Sequence, residues 1–310
     1  MTTASSILPD SGQARLGLVV LIAGAITISF SGIFVKLSEL GPSATAFYRL
    51  FFALPVFWLW LELEARGPLP PTRPATWRDY WHLAVAGLFL AGDLAFWHWA
   101  LTLSSVANAT LLGNAAPIFV TLAGWLFFGE RFTRTFLAGL LLSIVGAVGL
   151  IGGSFSLSIE NLVGDLFGVV TAVFYAGYII AVKRLRAQFS TATIMIWSGA
   201  ATCAALLVVA LLSGESLIAT SLYGWGVLIG LALLSQAGGQ SMIAWALAHL
   251  PAAFSSVSLL INPVAAAIFA WIILGEAIGP LQATAGFVVL AGIALARRGS
   301  RAKPVPEATI

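Results

Sequence analysis

A long segment of this chain occurs twice. The residues from Trp99 to Glu130 align without a gap on those from Trp245 to Glu276, at a shift of 146 residues. The matched residues are Trp99 and Trp245, Ala107 and Ala253, Pro117 and Pro263, Trp125 and Trp271, and the pairs Gly129-Glu130 and Gly275-Glu276. Matches among alanines and leucines arise easily by chance, but two tryptophans, a proline and a Gly-Glu pair in one register do not. The repeat therefore predicts two similar halves.

The composition places both halves in a membrane. The 310 residues are 60% hydrophobic and 9% charged, whereas soluble domains carry about 25% charged residues. A soluble fold could not bury so much apolar surface. The lone Cys203 cannot form an intramolecular disulfide, and the polar N-terminus has no cleavable signal pattern, so the first apolar segment is expected to act as an uncleaved insertion signal.

Ten apolar segments are long enough to cross a bilayer, which takes about 20 residues of helix. They are residues 16–38, 43–61, 80–103, 106–128, 135–153, 164–184, 190–212, 223–248, 252–274 and 280–297. Backbone groups in lipid must be satisfied within the segment. The prediction is therefore an all-α integral membrane protein, with a polar, proline-containing loop from Glu62 to Asp79 and no soluble domain.

The basic residues give the expected orientation. With the N-terminus inside, 13 of the 15 Lys and Arg fall in cytoplasmic segments, and only Lys36 and Arg49 lie toward the outer ends of spans one and two. The positive-inside rule then places both termini, residues 1–15 and 298–310, in the cytoplasm.

Five spans in each half invert the second half relative to the first. The expected repeats are residues 16–153 and 164–297. Inverted repeats are typical of secondary transporters, which alternate between two open states around a site near the bilayer midplane.

These features resemble the EamA-type branch of the drug/metabolite transporter superfamily. The resemblance rests on two inverted sets of five spans, on Pro117 and Pro263 followed by Gly129-Glu130 and Gly275-Glu276, and on Lys36 and Arg49. It covers about residues 16–297 and extends to exporters of amino acids, including the YddG-type exporters of aromatic amino acids. It implies a bacterial inner membrane and a cavity lined by spans one, three, four, six, eight and nine. The small multidrug relatives use a Glu within their first helix. Span one here has no acid before Glu39, which argues against proton coupling through such a residue.

Asp93 is the acid that lies deepest in a predicted span. A carboxylate inside a membrane is costly and points to function by default, as a ligand for an ammonium group or as a proton carrier; the alternative is a structural partner for Arg49 or His98. Trp97 lies one turn away and could stack on an apolar ligand, or simply pack. His98 is better explained by packing than by titration.

Further polar and aromatic side chains form stripes on other spans. Amides suit both ends of a zwitterion, but they also hold helices together, so the two readings of the Gln236 and Gln240 pair are evenly balanced. The other expected substrate-binding residues are Asn114, Phe174, Tyr175, Tyr178, Ser258 and Asn262.

Pro117 and Pro263 are expected to kink their helices and to serve as hinges, although a static kink is an equal alternative for each alone. Lys36 and Arg49 could attract anions at the outer mouth, or could snorkel toward water. Glycines on spans five and ten predict close packing or a dimer contact.

The expected function is export of small organic metabolites, foremost neutral or aromatic amino acids, by alternating access. The alternatives are another solute of the same superfamily, such as a drug or a sugar or nucleotide derivative, or a channel or membrane enzyme. No catalytic triad, phosphate loop or metal-ligand spacing is present in the sequence, so no catalysis, cofactor, metal or nucleic-acid partner is expected. The partners are the solute and the bilayer, and the chain is expected to be a monomer or a homodimer.

Overall fold

The computed structural model describes residues 11–68, 70–104, 106–151, 161–274 and 279–301. Its ten helical spans lie where the sequence predicts them; in nine of them the apolar helix has 18 or more residues, and in span five the apolar part, Arg134–Leu150, is slightly shorter. In the first half, the helices are Ser11–Ile28 and Ser31–Leu37 in span one, Pro42–Phe51 and Leu54–Ala65 in span two, Trp77–Leu103 in span three, Val106–Gly113 and Ala116–Phe128 in span four, and Arg134–Ile151 in span five.

The second half repeats this order. Its helices are Leu162–Leu185 in span six, Thr191–Leu212 in span seven, Leu222–Gly230, the π-helical Leu231–Gln240 and Ser241–Ala246 in span eight, Ala252–Ser258 and Ile261–Leu274 in span nine, and Pro280–Arg301 in span ten. The all-α prediction is confirmed. The Gly275-Glu276 pair lies outside the described residues.

Three spans break four residues before a proline. Proline lacks the N–H that would bond the carbonyl four residues earlier, and its ring clashes with that carbonyl. The first helix of span four ends at Gly113, four residues before Pro117, and that of span nine ends just before Leu259, four residues before Pro263. Pro55, which the sequence analysis did not single out, breaks span two in the same way.

The predicted loop from Glu62 to Asp79 is shorter than expected. Span two continues to Ala65, and span three begins at Trp77, where Thr76 and Asp79 form a capping box. In the last turn of span two, Glu64 accepts a hydrogen bond of 2.7 Å from the Ser190 hydroxyl. The charged last turn therefore lies where polar partners are available.

Spans five and ten pack against each other over most of their length. Gly139 lies so close to span ten that an added methyl group would overlap the backbone nitrogen of Ala296, and Gly292 lies equally close to Ser143. The glycines thus allow the two backbones to approach, as small residues do between membrane helices.

Gly139→Ala is expected to destabilise the fold by about 1–3 kcal/mol, because overpacking must push the two helices apart. Thermal unfolding in detergent measures the effect. The matched control is Gly226→Ala, where an added methyl group meets no atom within 4 Å. Equal melting temperatures for both variants would show that the close contact does not contribute to stability.

Two carboxylates join the halves at the end of the bundle where span one finishes. Glu215 accepts hydrogen bonds from the backbone N–H groups of Ser43 and Ala44, at 3.1 and 2.8 Å. Glu39 accepts from the backbone and hydroxyl groups of Thr220 and Ser221. Each carboxylate thus caps the start of a helix in the other half, where orphan N–H groups and the helix dipole favour negative charge.

Glu39→Gln is expected to lower the melting temperature at neutral pH and to have little effect in acid. Hydrogen bonds from the Ser221 and Thr220 side chains lower the pKa of Glu39 from its ordinary value of 4.5. A lowered folded-state pKa contributes stability above the unfolded-state pKa, and that contribution is lost as pH falls through the folded-state value. Melting curves from pH 7 to pH 3 test this, and a difference that persists at pH 3 would contradict it.

Candidate functional site

A cavity of about 480 Å³ lies at the centre of the bundle. Residues from spans one, three, four, six, eight and nine line it, which are the six spans that the family resemblance implies, and span two adds Arg49. We refer to it as the central cavity. Lys36 and Leu37, at the last turn of span one, mark its open end.

The irregular segments of the helices meet at this cavity. Gly113 and Asn114 at the break of span four, Leu259 at the break of span nine and Ser29 at the break of span one all line it. Gln240, the last residue of the π-helical segment, lines it from span eight. Interrupted helices form ligand sites in many transporters, and π-helical turns occur frequently at functional sites.

Two opposite charges face the central cavity. Arg49 and Asp93 both line it, and they interact electrostatically. Among the described residues, however, no ion pair within 4.0 Å joins them, and the Asp93 carboxylate makes no hydrogen bond to another described residue. The cavity therefore holds an anion and a cation that do not neutralise each other by direct contact.

Arg49 lies in the interior rather than at the outer mouth, which corrects the prediction from sequence. Its side chain is 3% exposed, and its Nε donates a hydrogen bond of 3.0 Å to Oε1 of Gln236. Snorkelling is impossible from this position, because the guanidinium lies between spans two and eight. Lys36 is exposed and lines the open end of the cavity; its place at the outer mouth stays a prediction.

Gln236 contacts Arg49 from outside the cavity. It is completely buried and is not on the cavity wall, so the prediction that it contacts substrate is not met. The two amides have different roles. Gln236 accepts a hydrogen bond from Arg49, whereas Gln240, one turn further along span eight, lines the cavity. The Gln240 side chain lies close to the Tyr175 and Tyr178 hydroxyls, and its Nε2 has no hydrogen-bond partner.

Two predicted aromatic contacts also lie elsewhere. Tyr178 is completely buried behind Tyr175, its ring 6.1 Å away, and its hydroxyl points toward the Met195 sulfur at 3.9 Å. Phe174 stacks on Phe96 at 5.6 Å and packs against Gly92. The sequence predicts Phe174 and Tyr178 on one side of span six with Tyr175 beside them, but of these three only Tyr175 lines the cavity.

Ser258 does not line the central cavity either. It lines a separate crevice, and its hydroxyl donates to the Phe254 carbonyl at 2.9 Å. The break that follows it turns Leu259 and Asn262 toward the central cavity instead. A regular helix assumed from sequence could not show this change of face.

The remaining predicted residues do converge. Asp93, Trp97, Asn114, Tyr175, Gln240 and Asn262 all line the central cavity. Asn114 also donates to the Thr110 carbonyl at 2.7 Å. His98 is completely buried, with Nδ1 2.7 Å from the Leu94 carbonyl oxygen, which fits the packing role expected for it.

The charges break the symmetry of the cavity. Leu94 and Trp97 of span three correspond in the repeat to Gln240 and Ile243 of span eight, and all four line the cavity. Asp93, by contrast, corresponds to a glycine, and span seven, the counterpart of span two, carries no charged residue. The inverted halves thus build one cavity whose charges come from the first half alone.

The sequence pattern of the EamA-like transporter family matches the chain twice, over residues 15–152 and 162–298. The chain belongs to this family. It is therefore a multi-pass membrane transporter of the drug/metabolite superfamily. Each match covers one five-helix half. Each copy of the repeat found in the sequence therefore belongs to one match of the family pattern.

Similar proteins include named exporters. The chain is 31% identical to the pseudopaline exporter of Pseudomonas aeruginosa over 69% of its own length and 74% of that protein. It is 30% identical to the probable terminal-alkyne amino-acid exporter of Streptantibioticus cattleyicolor over 76% and 78% of the two chains. A crystal structure with 20% identity and a TM-score of 0.76, covering 94% of this chain and 99% of the other, shares the fold.

Gln236→Leu is expected to lower the free energy of unfolding by about 1.5–3 kcal/mol, because it leaves the buried Arg49 guanidinium without its acceptor. Gln236→Glu keeps an acceptor and is expected to retain most of the stability. Gln188→Leu, at an exposed amide, is the control. Thermal unfolding in detergent measures all three, and a Gln236→Leu variant as stable as the control would contradict the supporting role.

Proposed function

We propose that this transporter exports small zwitterionic metabolites, with neutral and aromatic amino acids as the first candidates. The observation that carries the proposal is that Arg49 and Asp93 line the same cavity without a direct ion pair. A buried charge is costly unless it is paired. A solute that carries both charges supplies a partner for each at once.

The chemistry of the wall suits an amino acid. The planar guanidinium of Arg49 can bind a carboxylate through two parallel hydrogen bonds, and the Asp93 carboxylate can pair with the ammonium group. Gln240 and Asn262 offer neutral donors and acceptors beside them. Trp97 and Tyr175 provide aromatic surface for an apolar side chain.

The named relatives support an amino-acid-like solute. One is named as an exporter of an amino acid and another as an exporter of pseudopaline. A cationic drug suits the cavity less well, because Arg49 would repel it. A sugar would leave both charges unpaired. A channel would be expected to carry repeated polar rings, whereas the charges here come from one half only.

We propose alternating access as the transport mechanism, and the geometry of the cavity supports it. Toward the start of span one, Leu21, Tyr178 and Leu247 are completely buried, and we infer that they belong to the layer that closes the path. Movement of the two halves would open this layer and close the end at Lys36, with the breaks before Pro117 and Pro263 as hinges. With both termini in the cytoplasm of a bacterial inner membrane, the open end would face outward, as expected for release by an exporter.

Asp93→Asn and Gln240→Ala are each expected to lower counterflow of phenylalanine in proteoliposomes at least tenfold, because each removes a polar contact at the cavity wall. Glu62→Gln is the matched carboxylate control, since Glu62 lies at the end of span two and forms an ion pair of 3.8 Å with Arg73. Equal reconstitution and melting temperature confirm that folding is retained.

A broad solute panel separates the alternatives. Saturable exchange of amino acids, unaffected by sugars and cationic drugs, supports the proposal. Exchange of sugars or cations alone, or unsaturable flux through the unmodified protein, would contradict it.

A further inference from the structure

A second crevice lies between spans one, nine and ten, at the end of the bundle where span one begins. Its volume is about 610 Å³, and it shares no lining residue with the central cavity. Spans one and ten both pack against span nine and leave this space between them. Its position at the periphery opens it to the surrounding lipid, and Leu290 on its wall is 42% exposed.

Three arginines lie at one end of this crevice. Arg15 comes from the first turns of span one, and Arg297 and Arg298 come from the last turns of span ten. Arg15 and Arg298 are exposed. Among the residues that the structure describes, none that lines the crevice is acidic. We refer to it as the arginine crevice.

Apart from Ser258, whose hydroxyl donates to the Phe254 carbonyl, the rest of the arginine crevice is lined by apolar residues. Leu18 and Ile22 line it from span one, and Leu290 and Ile293 from span ten. Seven residues separate Arg15 from Ile22 and Leu290 from Arg297, which corresponds to about 10 Å of helix on each side. The crevice is therefore charged at the membrane surface and apolar for about 10 Å into the bilayer.

We propose that the arginine crevice binds one anionic phospholipid, with its phosphate at Arg15 and Arg298 and its acyl chains along the apolar wall. Guanidinium groups bind phosphate oxygens through paired hydrogen bonds, and basic pockets between membrane helices accept anionic head groups. The described lining residues include basic and apolar side chains but no acid, so they offer no partner for the ammonium group of a zwitterionic lipid. An anionic lipid such as phosphatidylglycerol fits both its charge and its depth.

Native mass spectrometry of the full chain in detergent tests this with three probes: dioleoylphosphatidylglycerol, dioleoylphosphatidylcholine and glycerol 3-phosphate. We expect one phosphatidylglycerol to remain bound preferentially. Glycerol 3-phosphate, which has the phosphate without acyl chains, and phosphatidylcholine should bind at least tenfold more weakly. The double variant Arg15→Gln/Arg298→Gln should bind phosphatidylglycerol at least tenfold more weakly than the unmodified chain, since each basic residue contributes to head-group affinity.

The control is Arg66→Gln/Arg78→Gln, which removes two arginines expected on the same membrane face but outside the crevice. A second variant, Ala294→Phe, keeps the arginines and fills the apolar wall on which Ala294 lies; it should also release the lipid. Equal lipid binding by both double variants would overturn the proposal, as would retention by Ala294→Phe. Displacement of phosphatidylglycerol by the transported solute would instead assign the crevice to the transport path and overturn it as well.

Discussion

The burial of Arg49 in the apolar interior is the constraint on which the central cavity depends. A guanidinium cannot be deprotonated under ordinary conditions, and an isolated buried charge costs several kcal/mol. The structure offsets this cost with the Gln236 amide and with the field of Asp93, but not with a direct ion pair. Both charged side chains line the cavity without pairing directly, so a solute there can bind to each of them.

The inverted repeat explains why such a site lies in the middle of the membrane. Corresponding spans of the two halves meet around the cavity, and the breaks of spans one, four and nine lie where these helices line it. The charges, however, come from one half. In the proposed alternating access, pseudo-symmetry would provide two alternative packings of the halves, and the asymmetric Arg49 and Asp93 would give the solute the same orientation in both.

The fold could be predicted from sequence almost completely, because hydropathy, the repeat and the prolines act locally along the chain. The site could be predicted only in part. Asp93 and Gln240 were found because polar groups are rare in such helices, but Phe174, Tyr178 and Ser258 were assigned to the wrong surroundings. Their faces depend on helix rotation, on the π-helical turn of span eight and on the breaks, none of which side-chain spacing reveals. The depth of Arg49 likewise depends on how span two packs against span eight.

The most direct test of the opposed charges compares phenylalanine with its two single-charge analogues, 3-phenylpropanoate and phenethylamine, as competitors of phenylalanine counterflow. We expect the unmodified protein to prefer the zwitterion to either analogue by at least tenfold. In Asp93→Asn the preference over 3-phenylpropanoate should disappear while the preference over phenethylamine remains, because Arg49 still binds the carboxylate. If Asp93→Asn discriminates against both analogues as well as the unmodified protein does, Asp93 does not bind the ammonium group.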